Sequence, residues 1–263
     1  MSALMHSALP VPTTVLYCES PEIVGTPFYL MERLDGRIFG DAALPGIAPS
    51  ERRQIYFEMA RVMATLHNLN ISSLGLDSYG KAGNYFQRQM VRWQQQWLHS
   101  KTRENRALDT LIEWLCNNIP DDNARALVHG DFKLNNLMFH PVEPRIIAVL
   151  DWELSTLGHA LADVAFNCAA WRATPSEFGG IRGLDLNALG IPSESEYVAH
   201  YRASGGDPAG LSPFHFAFAF MRWAVIFEGI AARARNGNAI NSRAQAVGAL
   251  ATPMALRGLE ALQ

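Results

Sequence analysis

The run LVHGDFKLNNLMFHPVEPRIIAVLDWE, residues 127 to 153, limits the fold more than any other part of the chain. Short apolar runs enclose His129, Asp131, Asn135, Asn136 and Asp151. NNLMFH and RIIAVLD read as two strands, and the prolines of PVEP deny strand continuation between them. The pair therefore closes as a hairpin, which brings residues distant in sequence to one end of two paired strands. An isolated Asp at such an end costs stability unless something charged meets it.

His129, Asp131 and Asn136 fit the form H-x-D-x-x-x-x-N, with Asp151 following after the hairpin. Such a set suits phosphoryl transfer. One carboxylate orients an acceptor hydroxyl and takes its proton, while an amide oxygen and a second carboxylate hold Mg²⁺ on nucleotide phosphates. Hard oxygen donors suit Mg²⁺, which keeps several waters and needs few protein groups. The spacing by itself leaves other readings open. Asp131 and Asn136 are also turn-formers that hydrogen-bond their own loop, and His129 also fits a buried scaffold residue. A metal-dependent hydrolase built on His129, Asp131 and Asp151 would need further ligands that the pattern does not place.

The rest of the chain is helical apart from its start. TTVLYCE and PFYLMERL are β-rich runs joined by SPEIVGT, a second hairpin. A lone hairpin is marginal in water and its edges invite pairing, so this one needs more strands, a covering helix or a partner. Ser50 is an expected N-cap for a helix carrying Ile55, Met59, Val62, Leu66 and Leu69 at helical spacing. Phe86, Met90, Trp93 and Trp97 make a second stripe, and Leu108, Leu111, Ile112 and Leu115 a third. Leu161, Val164, Ala165 and Cys168 form one face of a fourth helix. Ser193 with Glu196 is a capping box, opening a helix through Tyr197 and Tyr201. Two long helical segments, about 213 to 235 and 242 to 262, are expected at the end.

Of 263 residues, 49% are hydrophobic and 18% charged, and net charge is −3, which suits a soluble globular protein with a real core. No basic block points to a nucleic-acid or membrane surface. Cys18, Cys116 and Cys168 are odd in number and far apart, so they are expected as buried free thiols in a reducing compartment. MSALMHSALPVP lacks a basic region and a long apolar run, so no signal peptide is read there. Arg222 and Glu228 interrupt FHFAFAFMRWAVIFEGI, which favours a buried soluble helix over a membrane span. The expected location is the cytoplasm.

HGDFKLNNLMFHPVEPRIIAVLDWELSTLGHALADVAFN resembles the core of the aminoglycoside phosphotransferase-like kinases. The resemblance is closest to the group fused to, or encoded beside, acyl-CoA dehydrogenases. GTPFYLMERLDGRIF, YGKAGNYFQRQMVRWQQQW and FEGIAARARNGNA resemble that group too, so the likeness runs over nearly the whole chain. It implies an α+β, protein-kinase-like fold: residues 1–35 a remnant of the N-terminal lobe and hinge, and 36–263 a helical C-terminal lobe. By this resemblance Asp131 is the catalytic base, Asn136 and Asp151 hold Mg²⁺, and His129 braces the catalytic loop. Asp163 fastens that loop to the next helix, and the backbone of Met31, Glu32 and Arg33 meets the adenine of ATP. Lys133 falls where protein kinases place a lysine near the transferred phosphate, although a solvated lysine is as good a reading. The implied activity is an ATP- and Mg²⁺-dependent transfer to the hydroxyl of a small molecule. A hydroxyacyl-CoA is preferred over an aminoglycoside or a choline-like alcohol.

One departure weakens the resemblance. Kinases of this fold have a Gly-rich loop, then a strand lysine that pairs with the phosphates, then a helix Glu that holds the lysine. Neither G-x-G-x-x-G nor G-x-x-x-x-G-K-[ST] occurs, and the lysines are Lys81, Lys101 and Lys133. The chain reads as truncated at its N-terminal side. The alternative reading is therefore a non-catalytic remnant or binding module, with the bare first hairpin open to self-association or a partner chain.

Overall fold

The structure is a computed structural model and describes residues 1–81, 83–235 and 244–263. In chain order its elements begin with β1 (Thr14–Cys18), β2 (Phe28–Met31), α1 (Pro49–His67), α2 (Tyr85–Ser100) and α3 (Arg106–Asn117). Next come β3 (Ala126–Val128), β4 (Leu137–Phe139), β5 (Ile146–Val149), β6 (Thr156–Gly158) and α4 (Ala160–Arg172). The chain ends with α5 (Leu186–Leu189), α6 (Glu194–Ala203), α7 (Pro213–Arg235), α8 (Ala244–Ala249) and α9 (Ala251–Glu260).

These elements form two compact units. The first holds Met1–Gly80, Ala126–Thr156 and Leu186–Pro208, and the second holds Lys81–Arg125, Leu157–Asp185 and Ala209–Gln263. The first hairpin shares its unit with α1 and the β4–β5 hairpin. Packing groups segments from three parts of the chain, which a linear reading cannot anticipate.

In the first unit, α1 buries Ile55, Met59, Val62 and Leu66, the face its spacing predicts, and packs on α6. The helix starts earlier than expected. Pro49 occupies its first turn and Ala48 caps it without a side-chain bond, so Ser50 is not the cap. Proline's fixed φ and missing N–H suit that first position. The capping box of α6 forms as expected, with Ser193 and Glu196 exchanging bonds. His67 Nδ1 meets the hydroxyl of Tyr201 at 2.8 Å, a structural use of that histidine. β4 and β5 pair antiparallel, Leu137 opposite Val149 and Met138 opposite Ala148. Arg37 holds the connecting turn: Nε donates to His140 O at 3.0 Å and Nη2 to Glu143 O at 3.0 Å. β1 and β2 also pair antiparallel, yet Val15 is 65% exposed and Tyr17 63%, with Tyr29 and Leu30 about half exposed.

The second unit is built on α7, which is apolar around much of its circumference. It is long and apolar enough to cross a membrane by length and composition, but 78% of that window is buried inside the protein. Helices α2, α3, α4, α8 and α9 cover it, which is how a helix apolar all round is accommodated in a core. The expected stripes of α2 and α3 are buried. The indole of Trp97 donates to Asp109 Oδ1 at 2.7 Å. α4 is buried nearly all round rather than on one face. Buried Arg222 lies over the rings of Phe166 (4.8 Å) and Trp93 (5.5 Å).

The final expected helix is two helices, α8 and α9, separated at Leu250. Residues 242 and 243 lie outside the described residues, as do Asn236 to Ala239 of FEGIAARARNGNA and Ala82 of YGKAGNYFQRQMVRWQQQW. The three cysteines are free, but only Cys168 is buried; Cys18, the last residue of β1, and Cys116, in the last turn of α3, are half-buried.

Candidate active site

The residues expected to carry chemistry converge on two short loops, one after β3 and one after β5. His129 is fully buried, and its Nε2 lies 2.8 Å from the carbonyl oxygen of Leu150. Its Nδ1 accepts from the backbone N–H of Asp131 at 3.2 Å. The imidazole thus ties the first loop to the second. Trp152 packs on it, ring centroids 4.8 Å apart, and donates its indole N–H to Val149 O at 2.9 Å.

Gly130 lies between these contacts with φ +82°, and a Cβ there would sit 2.6 Å from Leu154 O. Only glycine meets both demands, a left-handed backbone and close approach to the backbone of Leu154.

The Asp131 carboxylate is held from two sides. Lys133 Nζ lies 2.8 Å from Oδ2, and Asn136 Nδ2 donates to the same oxygen at 2.9 Å. Asn136 Nδ2 also donates to the Asp131 carbonyl at 2.9 Å. Lys133 is an ion-pair partner of the expected base. The sequence reading places Asn135 and Asn136 on a strand; instead they lie in a 3₁₀ turn, Leu134–Asn136, closed by Asn136 N–H to Lys133 O at 2.9 Å. That turn points the amide of Asn136 back at Asp131, which a strand would not do.

Asn136 and Asp151 are brought together through the main chain. Leu150 N–H donates to Asn136 O at 2.8 Å, which puts Asp151 one residue from that bond. Asp151 itself has φ +63° and ψ +62° and is exposed. A left-handed Asp costs about 1–3 kcal/mol, and such strain persists where surrounding structure fixes it. Here the fixing contacts are the His129–Leu150 bond before it and the Trp152–Leu154 turn after it, where Ser155 Oγ donates to Trp152 O.

The donor set fits Mg²⁺. With Nδ2 of Asn136 spent on Asp131, its Oδ1 remains as an acceptor, and Asp151, next to the Leu150–Asn136 main-chain bond, adds an exposed carboxylate; both are hard oxygens of the kind Mg²⁺ takes together with water. Among the described residues no group of three or more His, Cys, Asp or Glu side chains could hold a metal, so a zinc-type hydrolase site has no ligand set.

At the expected hinge, Glu32 N–H donates to Thr13 O at 2.9 Å and its carboxylate accepts from Thr13 N–H at 2.9 Å. The Glu32 amide is therefore committed within the chain, while Met31 pairs with Thr14 and Arg33 meets Asp35 at 3.5 Å in solvent. Asp163 is buried in the first turn of α4, where an acid suits the helix N-terminus, and belongs to the second unit. His159 caps α4 and lies 2.9 Å from Asp122 Oδ2, which holds the Asp122 carboxyl below its usual range. Gly130, Trp152 and Ser155 were not singled out from sequence. Their signal is local: the Gly after His129 and the aromatic residue after Asp151 each sit beside an expected site residue.

Residues 1–213 match the phosphotransferase enzyme family, APH. The chain belongs to that family. This phosphotransferase-family chain is 43% identical over 259 residues to acyl-CoA dehydrogenase family member 10 of Mus musculus, covering 97% of this chain and 24% of that protein. It is 39% identical over 263 residues to the human acyl-CoA dehydrogenase family member 11, covering 98% of this chain and 34% of that protein. It thus spans about a quarter to a third of the curated relatives it matches. A crystal structure from Ralstonia eutropha JMP134, described as aminoglycoside phosphotransferase-like, superposes with TM-score 0.93 at 44% identity. It covers 99% of this chain and 80% of that one. A thermostable aminoglycoside phosphotransferase APH(4)-Ia in complex with AMP-PNP and hygromycin B shares the fold, TM-score 0.63 at 18% identity, covering 99% and 80%. The fold is the expected α+β, kinase-like one, and the chain is of the kinase-type phosphotransferase class.

Proposed function

We propose that this chain transfers the γ-phosphoryl group of ATP, with Mg²⁺, to the hydroxyl of a small molecule, and that the acceptor is a hydroxyacyl-CoA. The observation that carries the reading is Asn136: its side chain holds Asp131 while its main chain pairs with Leu150, gathering base and candidate metal ligands into one place. The acyl-CoA acceptor is supported by the names of the dehydrogenase relatives, which contain a region similar to this chain.

Asn136 and Asp151 would hold Mg²⁺, which when bound supplies positive charge to the nucleotide phosphates. Asp131 orients the acceptor hydroxyl and takes its proton on a carboxylate oxygen as the oxygen–phosphorus bond forms and the bond from the γ-phosphorus to the bridging oxygen of ADP breaks. Lys133, beside Asp131, offers a cation to the transferring group. His129 holds the loop. Met31 and Arg33 offer the remaining hinge backbone to adenine. The free thiols suit a cytoplasmic setting.

The test is ADP formation over a panel of hydroxyacyl-CoA thioesters, with Asp131→Ala as control. Equal rates in the two proteins would end the assignment of Asp131. A binding-only role is the second reading, favoured by the absence of lysine from β1 and β2. Calorimetry with Mg-ATP separates the two. Micromolar binding abolished by Asp151→Ala supports the enzyme.

A further inference from the structure

The second unit has a cleft of about 400 Å³ lined by Thr102, Arg103, Ala231, Ala234, Arg235 and Gln245, with the backbone of α8 closing it at Gly248 and Ala249. Its floor is a charged knot. Glu228 on α7 is fully buried, accepts from Thr102 N–H at 3.0 Å and from the Thr102 hydroxyl, and pairs with Arg103 Nη2 at 3.2 Å. The same Nη2 donates to Gly248 O at 2.7 Å. Arg235 Nη1 donates to Thr102 O, a carbonyl, and no carboxylate among the described residues lies within ion-pair distance of it.

Arg103 is paired with the Glu228 carboxylate and Arg235 with a carbonyl only, so the described lining carries one positive charge without a carboxylate partner. A guanidinium has five N–H donors, and the bonds above use one nitrogen of each. Ala231, Ala234 and Ala249 add methyl groups to the wall. A cleft of this volume is within the range of small-molecule sites, which join apolar walls to a few placed polar groups. One surplus charge matches a monoanion rather than a dianion, and the planar fork of Arg matches a carboxylate with two parallel bonds.

We propose that this cleft binds a small aliphatic carboxylate, its head on Arg103 and Arg235 and its chain along the alanine wall. None of Asp131, Asn136 and Asp151 belongs to the unit that holds this cleft.

Calorimetric titration of the whole chain with sodium hexanoate, without nucleotide, tests it. Saturable binding is expected, weakened at least about tenfold by Arg235→Gln and likewise by Ala234→Phe, which fills the cleft. Neither variant disturbs buried Glu228, so both should fold. Hexanol and inorganic phosphate are expected to bind much more weakly, and Asp131→Ala should bind hexanoate as the wild type does. No saturable binding by the wild type, binding unchanged in both cleft variants, phosphate binding as tightly as hexanoate, or loss of binding in Asp131→Ala would each overturn the assignment.

Discussion

Asn136 Nδ2 stands 2.9 Å from both the carboxylate and the carbonyl oxygen of Asp131, so one amide group fixes the side chain and the backbone of the candidate base. Asp131→Ala should lower phosphoryl transfer by about 10²–10⁴-fold, the usual weight of a general base. Asn136→Ala should lower it too, and should also weaken the dependence on Mg²⁺ concentration. ADP release measured across a Mg²⁺ titration, with circular dichroism to confirm folding, checks both.

Gly130→Ala should be far more damaging than its size suggests. The added methyl group meets Leu154 O at 2.6 Å, and φ is +82°. Left-handed strain costs about 1–3 kcal/mol before the collision is counted. Urea unfolding should show a loss of at least that size, and transfer should fall as the loop moves.

His129→Phe keeps an aromatic body in a buried site but leaves the Leu150 carbonyl and the Asp131 amide without their partner. A buried group left unsatisfied costs about 1–3 kcal/mol. Chemical denaturation should show that loss, and hydrogen exchange should show faster opening at residues 150 to 155.

Glu260 sets an acid limit. The guanidiniums of Arg182 and Arg257 hold its carboxyl at about 2, from an ordinary 4.5. Between those values the unfolded chain binds the proton and the folded chain does not, so stability rises with pH there. The contribution is full above about 4.5 and is lost as pH falls toward 2. Melting temperatures from pH 5 downward should fall less steeply in Glu260→Gln than in the wild type. The group is half exposed, so the difference will be modest and should shrink with salt.

The first hairpin predicts solution behaviour. Leu16 and Leu30 are directly paired and exposed. Leu16→Glu with Leu30→Lys replaces an apolar pair by an opposite-charge pair of comparable cross-strand strength, about 0.2–1 kcal/mol. Light scattering should show reduced concentration-dependent association, with the melting temperature little changed.

Much of this was legible in the sequence, for identifiable reasons. The stripes of α1, α2 and α3 follow from period alone, because each helix buries one face. The β4–β5 hairpin follows from two apolar runs around Pro141 and Pro144. The base and ligand residues follow from spacing and resemblance. What sequence did not yield depends on contacts across the chain. Asn136 was placed on a strand, and only its bonds to Lys133, Leu150 and Asp131 show why it turns. The ion pair of Lys133 with Asp131 is neither of the two sequence readings, a lysine near the transferred phosphate or a solvated one, since spacing alone does not fix where a long side chain points. The grouping of residues 1–80 with 126–156 and 186–208 is a matter of tertiary packing, invisible to any window.

The left-handed Asp151 implies a conflict for anyone who breeds this protein for robustness. Glycine would hold that backbone at no strain and would remove the carboxylate with it. A library selected for heat resistance alone should therefore drift to Gly at 151 and gain stability of about 1 kcal/mol while losing its chemistry. Retention of Asp there under such selection would mean that the acid contributes to folding as well as to the site.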